Sequence, residues 1–176
     1  MLIILRLESS QRPGLVPHAA TEYAFCMSEK NEPFYASGLR FECQGSGKCC
    51  TSHGEFGYVF LTQEDRRRFA LHLGLSTTAF TKKYCDQTNG IWHLKEDKTN
   101  TDCMFLKNKA CSVYEARPNQ CRTWPFWPEV MNAKSWKKEV QSFCPGVGKG
   151  RLWSREEIEA QMSADKENER NLLSGK

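Results

Sequence analysis

Thiol placement constrains this chain more than any other feature. Of its nine cysteines, eight fall between positions 43 and 144: Cys43, Cys49, Cys50, Cys85, Cys103, Cys111, Cys121 and Cys144. At 176 residues the chain can bury a core large enough to fold without cross-links, so folding alone does not call for so many thiols. Thiolate is the preferred protein ligand of zinc and of iron–sulfur clusters. The ninth, Cys26, stands apart in the N-terminal stretch and is left out of the site.

Whether such cysteines pair with each other or with metal depends on the redox compartment. The opening MLIILRLESSQRPG has one short apolar run, Leu2–Leu5, broken by Arg6 and Glu8. A secretory signal needs about 7–15 apolar residues after a basic start, and a membrane span needs about 20. Neither pattern occurs, so the expectation is a cytoplasmic protein with no membrane partner, in a reducing space where this cysteine count favours metal over disulfides. The net charge of +4 is too mild to demand a polyanion. The basic run Arg66-Arg67-Arg68 lacks interleaved aromatics, which argues for a solvated helix face and against a nucleic-acid partner.

Residues 1–37 carry Pro13, Pro17 and a polar SEKNEP run without sustained periodicity, and read as an extended or disordered lead. Residues 38–150 contain the cysteine stretch and read as the metal-binding domain, with residues 151–176 as a charged C-terminal helix or tail. Within the domain, residues 57–61 have strand character. Thr62 and Asp65 form a capping-box pattern that opens a helix over 63–73, and Ser76 caps a second over 77–85. Residues 90–94 and 103–106 read as short strands. Lys107-Asn-Lys109 reads as a tight turn, and Pro118 as the start of a short helix carrying Cys121. Residues 132–142 are expected to be helical, and the glycines at 146, 148 and 150 to form a flexible loop. Ser154 with Glu157 is a second capping box, opening a helix through about residue 168. The fold class is thus a small, α-rich α+β domain, with short helices, a small hairpin and long loops organised around a cysteine-ligated metal site.

The cysteines form two boxes. The first is Phe41-Glu-Cys43-Gln-Gly-Ser-Gly-Lys-Cys49-Cys50, whose glycines let the backbone curl so that thiols and N–H groups converge. Neighbouring residues of extended backbone point to opposite sides, so Cys49 and Cys50 either serve different metals or split into ligand and support. The second box is Cys103-x7-Cys111-x9-Cys121, with Cys144 beyond it. No C-x2-C pair occurs, which weakens a zinc-finger or thioredoxin reading, and such loose spacing suits an iron–sulfur cluster at least as well.

The order Phe-x-Cys-x5-Cys-Cys, then Cys103-Met-Phe-Leu, then Cys111-Ser-Val-Tyr-Glu-Ala-Arg-Pro-x-x-Cys121-Arg-Thr-Trp-Pro-Phe resembles the bacterial YkgJ-type cysteine-cluster family of zinc- or iron-chelating domains, over about residues 38–150. That resemblance implies Cys43, Cys49, Cys50, Cys103, Cys111 and Cys121 as metal ligands. The family's first box commonly reads F-x-C-x-x-C-G-x-C-C, so Ser46 stands where a cysteine is expected. Cys144 and Cys85 are added on residue type and position alone, as candidates to supply the missing sulfur.

An iron–sulfur cluster is the first expectation for the cofactor and zinc the second. Three roles stay open: a metal-binding or metal-delivering protein; an enzyme that uses the cluster for redox chemistry or, as the family resemblance alone implies, is associated with methyl transfer; and an interaction module built on structural zinc. No catalytic residue is assigned. His53 and His93 are conceivable nitrogen ligands but read more simply as ordinary histidines. The glycine motifs around Lys48 and Lys149 complete neither a P-loop nor a dinucleotide fingerprint, so no nucleotide site is expected.

Overall fold

The structure, a computed structural model, describes residues 32–51, 58–97, 99–100 and 102–175. Cys26 and His53 lie outside the described residues, as does almost all of the N-terminal lead. Residues 32–175 belong to one compact unit. Its elements run β1 (Leu39–Phe41), α1 (Gln63–His72), α2 (Thr77–Tyr84), β2 (Cys85–Thr88), β3 (Ile91–Leu94), β4 (Leu106–Lys107), β5 (Ala110–Cys111), α3 (Asn119–Thr123), α4 (Ala133–Ser135), β6 (Val147–Trp153) and α5 (Arg155–Leu173). Short 3-10 turns and a π-type turn over Trp136–Gln141 fill several connections. The class is mixed α+β, with three separate two-stranded antiparallel sheets among the described residues.

Helix starts follow the capping chemistry of the sequence. Thr62 accepts from the Asp65 amide while the Asp65 carboxylate accepts from the Thr62 amide, and Ser154 with Glu157 does the same for α5. Ser76 accepts from Ala79 at the head of α2. The strands show four departures. Residues 103–105, expected as strand, form a turn, and β4 starts only at Leu106. Of the expected 57–61 strand, Phe60 makes one isolated bridge, to His93. The 90–94 strand pairs with Cys85–Thr88 across an Asn89-Gly90 turn, both residues at positive φ, so a hairpin takes over where α2 ends. The glycine run at 146–150, expected as a flexible loop, leads into β6 from Val147, which pairs with β1 through an irregular register between Arg40 and Phe41. Glycine is needed there because a Cβ at Gly146 or Gly150 would collide with Glu42.

Two apolar clusters form the core. The first gathers Leu61, Phe69, Phe80, Leu94, Phe105 and Val113, with Phe69 stacked on Phe80 and on Phe105 at centroid distances of 5.2 and 5.3 Å. The second gathers Phe41, Phe126, Val130, Trp136, Val140 and Ile158, with Phe126 in ring contact with Phe41, Trp136 and Trp153. Ile158 brings the apolar stripe of α5 into this second cluster.

Asp65 joins α1 to the segment that carries Cys121. It is 1% exposed and accepts from the amide and hydroxyl of Thr62, from the Asn119 amide at 3.0 Å, and from the Arg68 guanidinium. Arg68 also donates to the Arg117 carbonyl at 3.2 Å. On the other side, Gln120 accepts from the Phe60 amide and donates to the Tyr58 carbonyl, which holds α3 beside the strand-like segment at 58–60. Removing the Asp65 carboxylate leaves Arg68 without its counter-charge and the Thr62 and Asn119 amides without their acceptor, in a largely buried place. Asp65→Ala should therefore destabilise the protein by about 3 kcal/mol in urea denaturation, with the slope unchanged. Glu64→Ala, which breaks a fully exposed pair on the same helix, should change stability far less than Asp65→Ala does.

Candidate metal centre

A cavity of about 410 Å³ opens between the two clusters. Phe69, Leu94, Phe105 and Val113 of the first cluster line it, as do Phe41 and Phe126 of the second. Cys43, Cys49, Cys50, Cys103, Cys111 and Cys121 all line it too. They come from four places in the chain: the stretch after β1 and the 3-10 turn Lys48–Cys50, the turn before β4, the end of β5, and α3.

Local backbone chemistry brings these places together. The Cys103 amide donates to the Cys50 carbonyl at 2.8 Å, tying the first box directly to the second. Gly47, at φ +65, lies so close to the Lys109 carbonyl and the Leu106 side chain that a Cβ there would collide with both. The 107–110 turn it packs on has Asn108 and Lys109 at positive φ, which swings β5 back along β4 and places Cys111. The Cys121 amide is held by the Pro118 carbonyl at 3.0 Å, with Pro118 as the cap of α3 rather than its first residue.

Cys50 sits at the centre of the thiols. Its Sγ is 3.9 Å from that of Cys49. The neighbouring sulfurs of Cys103, Cys111 and Cys49, and burial after them, push its thiol far above the ordinary range. Those neighbours move the other way. Hydrogen bonding from Cys50 is the largest cause in each case, and it lowers Cys111 to about 6, Cys49 to about 7, and Cys103 by a smaller margin, against an ordinary value of 9.0. Burial opposes all three shifts, and Arg117 assists those of Cys49 and Cys111. Cys121 is raised, first by burial and then by the thiolates of Cys49, Cys103 and Cys111. Lowered thiols at Cys49, Cys103 and Cys111 favour thiolate beside Cys50, and thiolate charge of this kind is what a thiophilic cation would neutralise.

Cys43 is the exposed cavity thiol near Tyr114, whose hydroxyl is raised first by burial and then by Cys43. Cys85 and Cys144 lie elsewhere. Cys85 is buried in the first apolar cluster, where burial raises its thiol to about 11, and Cys144 packs against the second cluster. Ser46 is exposed. His93 is buried, bonded to the Thr88 hydroxyl and the Leu94 carbonyl, and so reads as a satisfied core histidine.

The donor set fits a thiophilic metal by chemistry, with six thiols on one cavity and depressed pKa values among them. Among the described residues, no three Cys, His, Asp or Glu side chains already stand at the mutual spacing of a bound ion. A metal would have to draw the sulfurs inward. Sequence reasoning did not see the Cys50–Cys103 backbone tie, the placement role of Gln120 and Asp65, or Tyr114 against Cys43. The capping box was visible in the sequence, but its second use, holding Asn119, was not.

Residues 42–145, more than half of the chain, match the CxxCxxCC family, described as "Putative zinc- or iron-chelating domain". The chain belongs to that family. The family's name spells cysteine at the position occupied here by Ser46. A relative, the uncharacterized protein MJ0661 of Methanocaldococcus jannaschii, is 32% identical over 103 residues, covering 57% of this chain. The match spans 52% of the relative's own length. No solved structure matches. Among the described residues, no helix is long and apolar enough to cross a membrane.

Two thiol populations follow from these shifts. Cys111 and Cys49 have lowered folded values, so their ionisation stabilises the metal-free fold above the ordinary thiol value of 9.0. That contribution is lost as pH falls through about 7 and then about 6. Cys85 has a raised value of about 11, so its contribution is present below 9.0 and lost as pH rises toward 11. Alkylation of metal-free protein, mapped by mass spectrometry, should label Cys111 and Cys49 at neutral pH while Cys85 stays unmodified. Equal labelling of all three would contradict this electrostatic picture.

Proposed function

We propose that this chain binds a metal through the thiolates of Cys49, Cys50, Cys103, Cys111 and Cys121, with Cys43 at the rim, and that the centre is an iron–sulfur cluster. The observation that carries the reading is the convergence of these six cysteines, from four separate segments, on a single cavity. Six sulfurs exceed the four that a closed zinc site uses, and the cavity is larger than one ion requires. Zinc is the second reading, favoured by the electrostatic influence of Cys49, Cys103 and Cys111 on Cys50, four thiols being the number a closed zinc site uses.

When bound, such a centre supplies either electron transfer, if a cluster, or structural closure, if zinc. The chain's own residues supply the thiolates, a positive guanidinium at Arg117, and apolar walls from Phe69, Phe105 and Phe126, while Cys43 and Cys49 stay exposed. Because the ligands come from both boxes, metal binding would be coupled to folding. All eight described cysteines are free thiols, which suits a reducing compartment such as the cytoplasm. The role best supported is holding, sensing or delivering the metal, because the cavity gathers thiols from four segments.

The test is anaerobic purification of the full chain, followed by visible absorption and analysis of iron, acid-labile sulfide and zinc. Brown protein with matched iron and sulfide is the expected result; colourless protein with stoichiometric zinc selects the second reading, and folded protein free of both metals contradicts the proposal. Cys50→Ser and Cys111→Ser should lower metal content at least tenfold. Cys85→Ser should keep full metal content while destabilising the protein by about 1–3 kcal/mol, through a hydroxyl placed in an apolar cluster.

A further inference from the structure

The thiols occupy only part of the cavity wall. The remainder carries Tyr114, Arg117, Arg122, Trp124, Arg151 and Trp153. Among the lining residues Glu42 is the acidic one, so guanidinium groups outnumber carboxylates on this wall. At about 410 Å³ the cavity lies within the size range of small-molecule sites and exceeds the space of a metal ion held by thiolates.

The arginines are held in different ways. Arg117 lies flat over the Tyr114 ring, 3.4 Å from its centroid, and donates through Nε to the Tyr114 carbonyl at 2.8 Å. Arg151 lies over the Trp153 ring at 3.9 Å and is steadied by Glu157 on α5. Arg122 has no side-chain hydrogen bond or ion pair among the described residues, unlike Arg67, Arg68 and Arg155, which each carry a carboxylate partner. Neutralising the thiolates accounts for Arg117, which lowers Cys49 and Cys111. The leading influences on the shifted thiols leave Arg122 and Arg151 out. Two cations on this wall therefore lack a role in the thiol group.

We propose that this wall is a binding subsite for a small organic anion, with a flat apolar body against the aromatic rings and a carboxylate or phosphate group on Arg122 and Arg151. Planar guanidinium pairs with either anion through two parallel hydrogen bonds; Arg151, held over the Trp153 ring, gives one terminal nitrogen to Glu157 and keeps its remaining N–H groups for the anion. The aromatic rings supply area at low entropic cost. The subsite goes beyond metal binding and depends neither on which metal is held nor on whether one is.

The test is calorimetric titration of the full chain, as purified, with benzoate, phenyl phosphate and the neutral analogue benzyl alcohol, with metal content measured on the same preparation. Saturable binding of benzoate or phenyl phosphate, and not of benzyl alcohol, is expected, and the stronger of the two identifies the anionic group. Arg122→Gln and Arg151→Gln should each weaken it about tenfold or more, while Arg67→Gln, on a distant surface pair, should leave it unchanged. Arg122 is exposed, so its variant should melt with the parent protein. No saturable anion binding, equal binding of benzyl alcohol, or binding indifferent to both arginine variants overturns the proposal. The two claims fail separately: anion binding by metal-free protein leaves the subsite standing without the metal centre, and metal-loaded protein that ignores both anions does the reverse.

Discussion

The structure of the site depends on one joint, where the Cys103 amide meets the Cys50 carbonyl and Gly47 packs on the Lys109 carbonyl. The joint brings together two cysteine boxes separated by more than fifty residues, and it does so through backbone. It can therefore form before any metal arrives, which leaves the thiols close enough to repel one another once ionised. Cys50, whose thiol is pushed up by the neighbouring sulfurs, stays protonated and so adds no charge to that group. A metal would replace the proton in the same role, with more charge and a stronger preference for sulfur.

Around the joint, the fold divides its labour. The stacked rings of Phe69, Phe80 and Phe105 set one wall of the cavity, and Phe126 with Trp136 and Trp153 anchors the other. Neither wall rests on a large sheet. The three sheets are two-stranded, and such pairs are marginal unless packed on something else. The second wall also depends on α5, through Ile158 and through the Thr123–Asp165 hydrogen bond at 3.0 Å. The charged C-terminal stretch is thus coupled to the short helix that carries Cys121.

Much of the local structure was legible in the sequence because it follows short-range rules. The capping boxes at Thr62 and Ser154, the Ser76 cap and the turn at Asn108 each have a chemical signature within four residues. The missed features depend on distant residues. Gly146, Gly148 and Gly150 look like a flexible loop until β1 is known to lie beside them, because the same lack of side chains that loosens a loop admits a close strand. The hairpin register was missed because Cys85–Thr88 has weak strand character, and the Asn89-Gly90 turn signal outweighs it. For the site, spacing and family pattern pointed to the six cysteines that share the cavity, while residue type and position alone pointed to Cys85 and Cys144, which lie apart from it. A buried thiol in an apolar cluster and a thiol facing a cavity look alike in sequence.

The central claim is that the six cavity cysteines hold one thiolate metal centre. X-ray absorption at the edge of the bound metal tests it most directly, since it counts the sulfur neighbours. The account predicts a first shell made of sulfur at about 2.3 Å, retained in Cys85→Ser and lost in Cys50→Ser. A first shell of nitrogen and oxygen, or a sulfur shell untouched by Cys50→Ser, would contradict it.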